Sequence, residues 1–221
     1  MVILYTLHNG KFINLNNITL EEMEEKNITK NIYVNLTNRC PCACTFCLRH
    51  TKEMLESNNL WLKTEPTVDE IINEFEKFDL SSCNEIIFCG FGEPTERIDA
   101  IVEIAKYVKN KYPNIPTRIN TNGLGDLVNK KPIAPLLKGL IDTVSISLNA
   151  STAEKFYDIT RPKFGIESFE AMKKFAVDCA SYVPKVVLTV VDCIGEEEIA
   201  ACQKICDEIG IPLRVRPFEE N

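Results

Sequence analysis

The run Arg39-Cys40-Pro41-Cys42-Ala43-Cys44-Thr45-Phe46-Cys47 packs four cysteines into eight residues. Cys40, Cys44 and Cys47 have the spacing Cys-x3-Cys-x2-Cys, which lets one short loop aim three thiolates at a single metal centre. A closed structural zinc site needs four protein ligands, usually in two separated pairs. No second pair with that spacing follows, because Cys83, Cys89, Cys179, Cys193, Cys202 and Cys206 are scattered along the chain. Thiolate is also the natural ligand of iron–sulfur clusters. Three ligands on a four-iron cubane leave one iron free to bind something else. On the loop alone, zinc and a redox switch remain the competing readings.

Other groups with chemical potential recur downstream. Cys89-Gly90-Phe91-Gly92-Glu93-Pro94 joins a backbone able to approach a ligand closely to a carboxylate able to accept from an ammonium group. A Gly-Phe-Gly turn also closes many ordinary connections. Asn120-Thr121-Asn122-Gly123 is a second polar group. In Ser145-Ile146-Ser147-Leu148-Asn149, residues two apart share a strand face, so Ser145, Ser147 and Asn149 point the same way. Such a face suits a polar ligand inside a barrel, or plain strand-end capping. Glu196, Glu197 and Glu198 follow Gly195 and equally suit an acidic helix start. His8 and His50 read as polar surface and stand outside the catalytic set.

The elements that must position these residues follow from periodicity. Residues 2–15 alternate around His8-Asn9-Gly10, and Asn-Gly favours the positive φ of a tight hairpin. The Glu-rich stretch 19–30 reads as a short exposed helix or loop, an appendage. Strands are predicted at 32–36, 85–89, 117–120, 144–148, 186–191 and 212–216. Helices are predicted at 98–111, 152–158, 166–182 and 196–209. Another opens at Thr67, whose spacing to Glu70 is that of a capping box. Residues 133–140 read as helical or loop-like, with Pro132 and Pro135 restricting a helix start. Strict alternation predicts parallel strands joined by helical crossovers. An open doubly wound sheet and a partial barrel both satisfy it. Either places chemistry at the carboxyl ends of the strands, where every group above falls.

Bulk properties narrow the classes. A chain of 221 residues buries roughly 70 % of its unfolded surface and needs no disulfide staples. With 45 % apolar and 26 % charged residues it is neither disordered, collagen-like nor coiled-coil. No run approaches the ~20 apolar residues of a membrane span, and the start lacks a basic signal region, so a cytoplasmic protein without a membrane partner is expected. The net charge of -7 opposes a phosphate backbone and argues against non-specific nucleic-acid binding, though it leaves room for a local basic pocket.

The cysteine loop, with Phe46 as the aromatic before its last cysteine, resembles the signature of the radical S-adenosylmethionine (SAM) superfamily. The resemblance implies an α/β fold, a partial (β/α)6 TIM-type barrel with an N-terminal β-hairpin extension. Residues 1–30 would form the hairpin and connecting segment, and 31–221 the core domain. It implies a [4Fe–4S] cluster on Cys40, Cys44 and Cys47 whose open iron chelates the amino and carboxylate groups of SAM. Reductive cleavage then gives a 5′-deoxyadenosyl radical that abstracts hydrogen from a substrate, while the protein ligates, orients and excludes side reactions. Cys42 falls outside the cluster, as a small packed side chain or as a thiol near the active site. Gly90, Phe91, Gly92 and Glu93, similar to the superfamily's Gly-Gly-Glu-Pro motif, would surround the methionine amine. Ser147 and Asn149 would meet the ribose, and Arg161 the SAM carboxylate through a bidentate contact, unless it is simply a surface arginine. Phe46, Asn120, Cys193 and Glu198 complete the implied cofactor contacts. The last two lie in a loose match to the adenine-side motif Gly-x-Ile-x-Gly-x-x-Glu, with Val191 and Cys193 replacing its first Gly and Ile. The resemblance runs from Asn31 to Phe218, and the stretches 33–42 and 44–49 are most similar to the small TatD-linked radical SAM proteins. It leaves the substrate open, as a small molecule such as a nucleotide precursor or as a partner protein given a radical by an activase. The reductant would be of the flavodoxin or ferredoxin kind. A non-catalytic iron–sulfur or zinc protein on the same scaffold is the alternative from another class.

Overall fold

The structure, a computed structural model, describes residues 1–51, 58–78 and 80–217. Phe218 lies outside the described residues. The chain opens with strands β1 (Leu4–His8) and β2 (Lys11–Asn14), antiparallel with Tyr5 opposite Asn14 and His8 opposite Lys11. Asn9 and Gly10 turn between them at φ 48° and 70°, the left-handed pair expected of Asn-Gly. β1 pairs antiparallel with β3 (Asn31–Val34). Then β4 (Glu85–Phe88), β5 (Thr117–Thr121), β6 (Thr143–Ser147), β7 (Lys185–Val191) and β8 (Leu213–Arg216) each pair parallel with the strand before. The sheet order is β2-β1-β3-β4-β5-β6-β7-β8, so the hairpin extends one edge of six parallel strands.

The helices are α1 (Leu20–Glu25), α2 (Leu48–Thr51), α3 (Val68–Phe75), α4 (Ile98–Lys111), α5 (Gly125–Asn129), α6 (Ala153–Thr160), α7 (Ser168–Ala180) and α8 (Glu196–Ile209). Thr67 and Glu70 form the expected capping box at α3. Along α4, Ile101, Ile104, Ala105 and Val108 are buried, as the 3.6-residue period requires. The stretch 19–30 is less detached than its composition suggests. Thr19 and Glu22 box the start of α1, and Met23 is fully buried among glutamates. Residues Ala134–Leu137 form a 3-10 turn with Pro135 in its first turn, so no long helix links β5 to β6.

One face of the sheet packs under the helices through Ile32, Val34, Ile86, Phe88, Ile119, Val144, Ile146, Leu188 and Val190. Alternation and register put Tyr33, Arg118, Ser145, Thr189 and Arg214 on the other face. That face is concave. Arg214 on β8 interacts electrostatically with Glu85 on β4 and Tyr33 on β3. In a flat sheet, four strand spacings would put β8 about 19 Å from β4. The sheet therefore curls, as a partial barrel does, with helices outside and a polar concave face within.

Candidate functional site

The cysteine loop leaves β3 and is fastened on both sides. Asn35 Nδ2 donates to Leu60 O at 2.7 Å, and Asn38 Nδ2 to Leu62 O at 2.7 Å. Arg39 pairs with Glu65 at 2.7 Å and Glu96 at 3.4 Å. On the far side the loop docks on the end of α6. Ala43 N donates to Thr160 O and Thr45 N to Ile159 O, both at 2.9 Å, and Lys163 N donates to Pro41 O at 2.8 Å. The last carbonyls of a helix lack partners within it, and here the cysteine loop supplies them.

Within the loop Cys42 is central. Its thiol hydrogen-bonds with Cys40 and Cys44, which lowers the pKa of both, while Cys42 itself is pushed up. Burial raises the Cys47 thiol, against the pull of Arg49. Arg49 Nη2 donates to Cys42 O at 3.2 Å, bringing positive charge that favours thiolate at Cys40 and Cys44. Asn122 Nδ2 reaches Cys40 Sγ at 3.9 Å and Cys42 Sγ at 3.6 Å. Cys42 is thus buried, as a packed side chain would be, but it also lies in the thiol group. Among the described residues no three His, Cys, Asp or Glu side chains are placed to hold one metal ion. A cubane instead takes each thiolate on a separate iron. A loop rich in partly buried thiols beside a guanidinium has the donor chemistry for such a cluster.

Glu93 is 3 % exposed and caps the 3-10 turn Pro94–Arg97. Its Oε1 accepts from Thr95 N at 3.0 Å and from the hydroxyls of Thr95 and Thr121 at 2.7 Å. Among the described residues its Oε2 accepts only from Asn122 N, at 2.7 Å. A carboxylate offers about four acceptor sites, two on each oxygen, so Oε2 keeps capacity for one more donor. Burial pushes the Glu93 carboxyl up, against the pull of Asn122, Thr95 and Thr121. The flanking glycines make room for the chain itself. A Cβ on Gly90 would lie 2.2 Å from Asn35 Oδ1, and one on Gly92 would lie 2.3 Å from Thr37 O. The Phe91 side chain turns away into a cluster with Val2, Tyr5, Phe12 and Leu60.

The remaining predicted residues spread around the strand ends. Asn120 and Ser147 are half-buried on the concave face, and Asn149 is buried just past β6 at φ 61°. Asn120 Oδ1 and Asn149 Oδ1 are buried without a hydrogen-bond partner among the described residues. A buried acceptor normally has one, and a ligand hydroxyl would supply it. Glu198 accepts from Ser151 N at 2.7 Å and pairs with Lys155, so it fastens α8 to the segment after β6. Arg161 ends α6 at φ 45° and is exposed; Cys193 is exposed after β7, and Phe46 is half-buried in the cysteine loop. The prediction did not single out Asn122 or the Glu93 partners Thr95 and Thr121. Their only signal was a polar group at a strand terminus. A surface cleft of about 740 Å³ beside Leu15, Glu21 and Phe78 lies on α1 and the end of α3, away from these groups.

Residues 34–204 match the model of the radical SAM superfamily. The chain is 30 % identical over 197 residues to the GTP 3′,8-cyclase of Corynebacterium glutamicum (strain R), covering 85 % of this chain and 48 % of that protein. The chain therefore spans about half the length of that relative. It is 32 % identical over 184 residues to a Methanocaldococcus jannaschii protein bearing the name glycyl-radical enzyme activating enzyme, covering 78 % and 68 %. Among solved structures it is similar in fold to HydG, a maturase of the [FeFe]-hydrogenase, with TM-score 0.61 and 17 % identity over 86 % of this chain and 42 % of that one.

Proposed function

The chain belongs to the radical SAM superfamily, and from that premise we propose that it is an enzyme that cleaves SAM reductively at a [4Fe–4S] cluster held by Cys40, Cys44 and Cys47. When bound, the cluster supplies the electron that breaks the sulfonium C–S bond, giving a 5′-deoxyadenosyl radical that takes hydrogen from a substrate. Glu93 uses the open site on Oε2 to accept from the SAM ammonium group, beside the backbone of Gly90, Phe91 and Gly92. Asn149 and Asn120 accept from ligand hydroxyls, with Ser147 beside them. Arg161 offers its guanidinium to the carboxylate. Glu198 acts through the turn it fastens, and Phe46 and Cys193 border the ligand.

One observation carries this reading: Asn122 touches the thiols of Cys40 and Cys42 with its side chain and Glu93 with its N–H. Cys40, one of the proposed iron ligands, and the proposed ammonium acceptor are therefore joined through one residue. Anaerobic reconstitution followed by reduction in the presence of SAM tests it. Iron-dependent release of 5′-deoxyadenosine is expected. A four-iron protein that releases none would be a non-catalytic iron–sulfur protein.

Below superfamily level we assign the chain to the small TatD-linked radical SAM proteins, on residues 33–42 and 44–49. We read residues 1–30 as an extension of a core at 31–221, and a flavodoxin or ferredoxin as the reductant in the cytoplasm. No helix among the described residues is long and apolar enough to cross a membrane. The relative named as an activating enzyme favours a second reading, in which the substrate is a partner protein. A stable protein radical on the partner would mark that reading, and turnover without one the small-molecule reading.

A further inference from the structure

The concave face carries a concentration of positive charge that the proposed SAM contacts do not use. Arg118 on β5 and Arg214 and Arg216 on β8 share that face by register. Glu85 meets Arg118 Nη2 at 3.0 Å, and both side chains are largely buried. Arg214 and Arg216 have no ion-pair partner among the described residues. The Arg118 Nε is buried without an acceptor among the described residues. Partial burial, with Arg118 and Arg216 nearby, lowers the pKa of Arg214 against the pull of Tyr33 and Glu85. In a chain of net charge -7, three arginines on one face, Arg118 largely buried and Arg214 and Arg216 exposed at the edge strand, suit an anionic ligand. Arg118 lies four residues before Asn122, about 13 Å down the strand at the usual rise, so its charge sits deeper than the cysteine end of the sheet, whereas Arg214 and Arg216 pair beside Thr189 and Val191 near the strand ends.

Resting on the radical SAM reading, we infer that Arg118, Arg214 and Arg216 bind the oxyanion of a small-molecule substrate, a phosphate or carboxylate, on the concave face. A small molecule fits because an anion reaching Arg118 must enter the curl. Ser145, buried on the same face, adds a hydroxyl to the site.

The test uses reconstituted holoprotein with SAM present, titrated with inorganic pyrophosphate and, separately, with succinate in a calorimeter. Saturable binding of at least one is expected, and the better ligand identifies phosphate or carboxylate as the anion. Substituting R214Q and R216Q together should weaken it by about tenfold or more, as expected for lost charge-assisted hydrogen bonds. Substituting R214K and R216K should retain most of the affinity, because the charge remains. K204Q, which removes an exposed charge from α8, should leave it unchanged. Binding of neither probe, or equal weakening by K204Q, overturns the inference. 5′-Deoxyadenosine release by the unmodified protein without probe binding removes this inference alone. Probe binding without 5′-deoxyadenosine release removes the radical reading and leaves an anion site.

Discussion

At the scale of single residues, the site depends on small atoms set close together. Cys44 is half-buried in the docked loop, whereas Cys206 is buried in the core on α8. C44A is expected to abolish the visible absorption of the reconstituted protein and its SAM cleavage. C206A should keep both and cost only about 1 kcal/mol from a small lost contact. Iron assays and absorption spectra check the pair, and equal loss in the two would mean the ligands are misassigned. Gly92 makes a sharper case. A Cβ there would lie 2.3 Å from Thr37 O and 2.6 Å from Arg39 O, backbone atoms leading into Cys40. G92A must push the loop or strain it, at about 1–3 kcal/mol. Its expected signature is reduced iron incorporation with the secondary structure retained, read by iron content and circular dichroism. Normal iron loading would show that the loop has slack at that point.

At the scale of elements, the amino ends of the strands hold the barrel together while the carboxyl ends carry the site. Asp142, just before β6, accepts from Lys109 Nζ of α4 at 2.6 Å and from Thr117 N of β5 at 2.7 Å. Burial raises its carboxyl, but Lys109 and Thr117 outweigh that and leave its pKa below the usual value. A lowered carboxylate pKa adds stability above the ordinary carboxylate range, and that stability is lost as pH falls through the lowered value. D142N should therefore cost about 1–2 kcal/mol at neutral pH, moderated by partial exposure, with the gap to the unmodified protein closing in acid. Urea unfolding at the two pH values checks this, and a gap independent of pH would assign the loss to packing. α4 was legible in the sequence from its long amphipathic period, and α8 from Gly210, which ends it. The parallel strands were legible as apolar runs between helices. α2 and α5 escaped because four or five residues are too few for a period to register. The cysteine loop was legible from spacing, which is local. The partners of Glu93 were not, since Thr95 and Thr121 meet it only once β4 and β5 are aligned.

For the molecule as a whole, the open question is whether the hairpin is an addition to the barrel or part of what makes it fold. Its strands cover the edge of β3, which would otherwise present unpaired backbone groups to other chains. Its side chains enter both cores: Tyr5 and Phe12 pack with Leu60 and Phe91 on the concave side, while Leu4 and Leu15 join the core under the helices. Losing one buried aromatic typically costs about 3–5 kcal/mol, against a total stability of about 5–15 kcal/mol for a domain. Deleting residues 1–15 should therefore bring the chain close to unfolding and expose an edge that aggregates. Gel filtration and thermal melting of the truncated protein beside the full chain make the measurement. The expected result is aggregation, or a melting temperature far below that of the full chain. A monomer that melts with the full chain and loads iron equally well would instead make residues 1–30 a true appendage, with a core that begins at Asn31 and folds alone.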